Sequence, residues 1–118
     1  MTKLMIVSIA SDHAGFELKK IIVSHLKALK IEVIDNGPKN NDSVDYPDFA
    51  KKVVDDLIGS NAHRGILICG SGQGMAMSAN KHTGIRAALC HNLEVTKLAR
   101  AHNDANILTL GARVLDHE

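Results

Sequence analysis

The run Ile66-Leu67-Ile68-Cys69-Gly70-Ser71-Gly72-Gln73-Gly74 puts a thiol at the end of an apolar stretch and follows it with three alternating glycines. Without a Cβ in the way, such a loop lets main chain approach a ligand closely. Its N–H groups, with the start of a helix read over Met75 to Lys81, would stabilise an oxyanion or a phosphate and favour the thiolate of Cys69 over the thiol. A thiolate so placed can serve as a base or as a nucleophile. The spacing matches neither the Gly-x-Gly-x-x-Gly dinucleotide fingerprint nor a Gly-Lys-Ser/Thr P-loop. Taken alone, a buried strand-end cysteine beside a turn is the commoner meaning of such a segment.

Two further clusters carry chemistry-bearing groups. Asp12-His13 follows the first apolar run, where an aspartate helix cap with a histidine in the first turn is the simplest reading, one compatible with a binding site. Val95, Leu98, Ala99 and His102 fall at helical spacing, so His102 reads first as a satisfied core histidine on an apolar stripe. Yet Arg100, His102, Asn103, Asp104 and Asn106 gather hydrogen-bonding groups where that helix should give way to a strand, with Asn103 or Asn106 a candidate C-cap. His25, His63, His82, His91 and His117 show no ligand spacing and are assigned to surface or loop. Cys69 and Cys90 lack metal-type spacing, so free thiols are expected and no metal site follows.

The elements that must position these groups are legible as alternating patterns. Apolar, β-rich runs recur at Leu4 to Ile9, Ile31 to Ile34, Gly65 to Ile68, Ile85 to Leu89 and Ile107 to Leu110 and read as five buried strands. Between them lie helical stripes, Leu18, Ile21, Ile22, Leu26 and Leu29 in the first and Phe49, Val53, Val54, Leu57 and Ile58 in the second. Alternation of this kind implies right-handed crossovers and a five-stranded parallel sheet covered on both faces, a doubly wound α/β fold. The polar stretch Gly37 to Ser43 reads as a loop before a helix whose first turn holds Pro47. In such a sheet ligands bind at the carboxyl ends of the strands, where Asp12-His13, the Cys69 loop, Cys90-His91-Asn92 and the Leu110-Gly111-Ala112-Arg113 tail all fall.

The chain's 118 residues suit a single domain over 1–118. Lys+Arg 14 against Asp+Glu 13 leaves a net charge of +1, which suggests neither nucleic acid nor an anionic membrane as partner. No apolar run approaches the roughly 20 residues of a membrane span, and Met1-Thr2-Lys3 leads into a strand pattern without a cleavage site, so a cytoplasmic location is expected.

Taken together, Ser11-Asp12-His13-Ala14-Gly15-Phe16, Asp45-Tyr46-Pro47, Gly65 to Gly74, Ala79-Asn80-Lys81, Gly84-Ile85-Arg86-Ala87 and His102-Asn103-Asp104-Ala105-Asn106 strongly resemble the ribose-5-phosphate isomerase B family. The resemblance spans nearly the whole chain and implies a Rossmann-like three-layer fold. It further implies interconversion of ribose 5-phosphate and ribulose 5-phosphate through an enediolate, a step of the pentose phosphate pathway, with no cofactor. The implied assembly is a homodimer or homotetramer whose active site is shared between subunits. By the same resemblance Cys69 moves the proton between C2 and C1, and His102, helped by Asp12, opens the furanose ring. Ser71, Asn103 and the N–H groups of Gly70, Gly72 and Gly74 hold the transition state, while His13 and Arg113 bind phosphate. A branch of the family uses a glutamate in the helix after the loop; Met75-Ala76-Met77 has no acid, which places this chain with the cysteine type. Ser71 stands where many relatives have threonine and retains the hydroxyl.

Relatives continue for about one helix beyond the position of Glu118, in a segment that carries phosphate-gripping arginines and supports the dimer, an estimate that uses typical helix size. The expectation is of a shortened chain lacking that helix and leaving apolar surface beside the last strand. Three other readings stay open on the residues: an isomerase of allose or galactose 6-phosphate, a noncatalytic phosphosugar- or nucleotide-binding module using the glycine loop as an anion nest, and a thiol sensor pairing Cys69 with Cys90.

Overall fold

The computed structural model describes residues 5–117; Leu4, expected to open the first strand, lies outside them. Five strands, β1 (Ile6–Ser11), β2 (Glu32–Asp35), β3 (Arg64–Cys69), β4 (Ala87–Leu89) and β5 (Ile107–Gly111), alternate with four helices, α1 (Phe16–Ala28), α2 (Tyr46–Ile58), α3 (Gln73–Ala79) and α4 (Leu93–Asn103). Every neighbouring pair is parallel, in the order β2-β1-β3-β5-β4. The chain moves outward from β1 to β2, then crosses to β3 on the other side of β1. Loops leaving β1 and β3 therefore run to opposite faces, the arrangement that opens a ligand crevice at the strands' carboxyl ends.

Alternation along the two central strands splits the core between those faces. Ala10, Leu67 and Cys69 pack with Ala50, Val53 and Val54 of α2 and Met75 and Ala79 of α3. Ile9 and Ile68 pack on the other face with Leu18 of α1. Ile9, Leu67, Ile68, Met75, Ile107, Val53 and Val54 are fully buried, each contributing roughly 1.5–3 kcal/mol by removal from water. A polar cluster ties β1 to both flanking elements. Ser8 Oγ donates to Asp56 of α2 at 2.7 Å, and the Asn36 amide donates to both Ser8 and Asp56 at 2.8 and 2.7 Å.

Several boundaries and burials differ from the pattern reading. The second strand starts at Glu32, because Ile31 N–H is taken by Leu26 O as α1 ends in the left-handed Lys30. As an edge strand, β2 is only half-buried rather than buried. Ile85 and Arg86 fall outside β4, since side chains of Asn106 and Asn80 capture the N–H groups of Arg86 and Ala87. The glycine-loop helix starts two residues early, at Gln73, behind the left-handed Gly72. The helical stripes are narrower than read: Ile21, Leu29 and Ile58 are exposed. In α4 only Ala99 of the stripe is buried, because this helix meets one edge of the sheet through small residues, Cys90, Ala99 and Ala105 against Ala88 and Leu108. Beside it lies an apolar groove of about 280 Å³ lined by Ile66, Ala88, Cys90, Ala99 and Leu108. Among the described residues no helix is long and apolar enough to cross a membrane.

Candidate active site

Cys69 closes β3, is 6% exposed, and its sulfur accepts a hydrogen bond from Gly72 N–H at 3.1 Å. That bond depends on the left-handed Gly72, at φ 82°, a conformation in which a Cβ is costly. Ser71 is exposed, and its Oγ accepts from Gln73 N–H at 3.3 Å, so its own proton remains free to donate.

The tail of β5 is knitted to the same loop. Ala112 N–H donates to Cys69 O at 2.8 Å and Arg113 N–H to Gly70 O at 2.9 Å. The Arg113 guanidinium lies over Gly70, with Nη1 3.3 Å from where a Cβ would stand. From the other side, Asp12 N–H donates to Ile68 O at 3.0 Å, which draws the end of β1 against the end of β3. Asp12 is 8% exposed and accepts from Gly15 N–H through Oδ1 at 3.0 Å. It does not cap α1, whose N-cap is Gly15; Asp12 and His13 lie in the turn before the helix, closer to the sheet than a first helical turn would hold them. His13 Nδ1 accepts from Val44 N–H at 3.3 Å, which leaves Nε2 as the ring's donor. Cys69, Ser71, Asp12, His13, Arg113 and the loop glycines thus converge on one edge of the sheet.

His102 and Asn103 do not join them. Both are exposed at the end of α4, so His102 is not the core histidine its spacing suggested. Arg86, just before β4, donates from Nε to Asn103 O at 2.6 Å, placing the helix end at the amino edge of the sheet. Gly65 and Ala87 are each in register with Ile107 near that edge. From there Cys69 is four strand steps away, roughly 13 Å at about 3.3 Å per residue. The helix is capped by Asp104, not by Asn103 or Asn106, in a left-handed conformation.

Tyr46 also belongs to the site's surroundings, although its residue type and spacing do not mark it. Its ring lies over Gly74, with Cε1 2.9 Å from where a Cβ would stand. Chain order held the signal, since the first turn of every helix following a parallel strand lies at the carboxyl edge and Tyr46 opens α2. Cys90 ends on the opposite face from Cys69, with β5 between their strands, which removes the intrachain thiol pair.

Open parallel sheets with a reactive group at the carboxyl edge define a class, the α/β proteins that bind and transform small molecules in that crevice. Within it the chain belongs to the ribose/galactose isomerase family, whose model matches residues 7–118. It is similar to the solved ribose-5-phosphate isomerase B of Clostridium thermocellum, with 50% identity, a TM-score of 0.95, and coverage of 96% of this chain and 76% of that one. The enzyme of the same name from Mycoplasma genitalium, solved with ribulose 5-phosphate bound, gives 46% identity and a TM-score of 0.91, covering 96% of this chain and 76% of that one. Ribose-5-phosphate isomerase B of Escherichia coli is 43% identical over 112 residues, 95% of this chain and 75% of that one.

Proposed function

We propose that this chain interconverts D-ribose 5-phosphate and D-ribulose 5-phosphate, with Cys69 as the proton carrier. The observation that carries the reading is the Cys69 sulfur, held by Gly72 N–H at the mouth of an open glycine loop. Family membership and the ribulose 5-phosphate held by the Mycoplasma genitalium relative support the substrate.

In the open-chain aldose, Cys69 removes the C2 proton and the electron pair moves to C1, leaving an enediolate with charge on the C1 oxygen. Free N–H groups of the Gly70 to Gly74 loop and the Ser71 hydroxyl meet that charge as it develops. The thiol then returns its proton to C1 while the C2 hydroxyl proton passes to the C1 oxygen, so that C2 becomes the ketone and C1 a hydroxymethyl group. His13 Nε2 and the Arg113 guanidinium bind the phosphate. Oδ1 of Asp12 serves the turn, and Oδ2 orients the imidazole that opens the furanose ring.

That imidazole is His102 of the partner subunit, because α4 carries a chain's own His102 to the far edge of its sheet. An assembly of at least two chains is therefore part of the reading, with Asn103 arriving beside His102. The reaction draws its base and its oxyanion donors from the protein alone and takes place in the cytoplasm. The test is ribose 5-phosphate turnover by the chain and by Cys69→Ala. Turnover lost only in the variant, with substrate binding retained, is the expected result; equal turnover in both sinks the mechanism. Allose 6-phosphate and galactose 6-phosphate assayed alongside decide the sugar.

A further inference from the structure

The end of α4 is held by more bonds than a helix terminus requires. Its C-cap, Asp104, sits at φ 50° and ψ 43°, a left-handed conformation that persists in a non-glycine residue only where its surroundings over-determine it. Arg100 Nη1 spans the turn from one side, donating to Asp104 Oδ1 at 3.1 Å and to Ala105 O at 2.6 Å. Arg86 Nε holds it from the other, donating to Asn103 O at 2.6 Å. Arg86 itself stands on a braced base. Its N–H donates to Asn106 Oδ1 at 2.8 Å, its carbonyl accepts from Asn106 N–H at 2.9 Å, and the Asn106 amide reaches on to Gly84 O at 3.0 Å. The next residue, Ala87, is paired in both directions with the Asn80 side chain at 2.7 and 2.9 Å. The side chains of His102 and Asn103, by contrast, have no hydrogen-bond partner among the described residues.

We infer that Arg86 is a positioning residue for His102 and Asn103. This rests on the reading above, in which those two groups complete the site of a second subunit. Last helical turns fray, and a group that must enter another chain's site needs its backbone held to about half an ångström. The charge of Arg86 also complements the negative end of the α4 dipole. Through the Asn103 carbonyl it sets where the imidazole of the preceding residue stands.

A merely structural cap and a positioning residue differ in what their loss does to two activities of the same molecule. Isomerisation of ribose 5-phosphate needs ring opening. Exchange of solvent deuterium into C1 of ribulose 5-phosphate, which is open-chain, needs Cys69 and the groups that hold the enediolate, Asn103 among them, but no ring opening. Their ratio does not depend on how much of a variant is folded. Arg86→Met, which keeps an apolar stem and removes the donor, is expected to lower the turnover-to-exchange ratio roughly ten- to a hundredfold, the worth of a charge-assisted hydrogen bond. Arg86→Lys, which can still donate to the same carbonyl, should recover part of that loss, and His102→Asn should lower the ratio at least as far as Arg86→Met. A wild-type ratio in Arg86→Met alongside a lowered ratio in His102→Asn overturns the positioning role alone, as does an absence of any recovery in Arg86→Lys. A wild-type ratio in His102→Asn overturns the shared-site reading beneath it.

Discussion

Adding one methyl group at Gly72 should strike stability and catalysis together, and the structure supplies its own control at Gly84. Both glycines have left-handed backbones, φ 82° at Gly72 and 87° at Gly84. A Cβ on Gly72 would lie 2.5 Å from Leu89 Cδ1 and 2.9 Å from the Leu110 carbonyl carbon, whereas one on Gly84 would meet nothing within 4 Å. Gly84→Ala therefore carries the conformational cost alone, about 1–2 kcal/mol. Gly72→Ala adds about 1–3 kcal/mol of overpacking against β4 and β5, for a total of about 2–5 kcal/mol. A domain of this size has about 5–15 kcal/mol of stability, so the Gly72 variant should still fold under native conditions. Urea unfolding measures both costs as shifts of the midpoint at constant m-value. Relief of the Leu89 contact must move the loop, and the Gly72 N–H leaves the Cys69 sulfur with it. Turnover of the folded Gly72 variant should thus fall roughly 10- to 100-fold, while Gly84→Ala keeps wild-type turnover. Equal destabilisation by the two substitutions, or full activity in Gly72→Ala, refutes the argument from the loop's geometry.

Division of the site between subunits predicts complementation: Cys69→Ala and His102→Asn chains, each inactive alone, should on mixing and re-equilibration as dimers recover about a quarter of wild-type activity, since about half the dimers are mixed and one site in each has both groups. No recovery would refute the shared site. Lys19, whose side chain is 4% exposed, pairs with both oxygens of Asp35, which is 42% exposed. Because water still reaches the carboxylate, Lys19→Met should cost about 1–3 kcal/mol, less than breaking a fully buried pair. An unchanged urea midpoint would show that the pair contributes nothing.

The sheet could be read from the chain because parallel strands, buried on both faces, announce themselves as unbroken apolar runs, as Ile66-Leu67-Ile68 and Ile107-Leu108 do. The reading slipped where side chains rather than periodicity set an element's limits. Ile85 looks like strand, yet Asn106 and Asn80 take the backbone donors at the start of β4 before the ladder can. Val95 and Leu98 have the spacing of a core-facing stripe but are exposed, because the residue that α4 buries against the sheet is the small Ala99. Spacing reports which residues share a helix face, and what lies opposite that face is decided by tertiary placement. Strand order was equally out of reach, since nothing local marks β5 as the neighbour of both β3 and β4.

For the site, chain order carries more than residue spacing does. A helix that follows a parallel strand begins at the carboxyl edge of the sheet and must end at the amino edge, where the next strand starts. Asp12, His13, Cys69, Ser71 and Arg113 each come directly after a strand, so all belong to the carboxyl edge; His102 and Asn103 close α4 before β5 and so belong to the other. At about 1.5 Å per residue the eleven residues of α4 span roughly 16 Å, longer than any side chain can bridge. No rotamer or small loop movement brings a chain's His102 to its own Cys69. Either the histidine plays no part in the reaction, or a second copy delivers it, and the two cases part in the mixing experiment. The clamp of Arg86 and Arg100 around an exposed helix end favours delivery, because a terminus with no partner to meet has no need of being held so firmly.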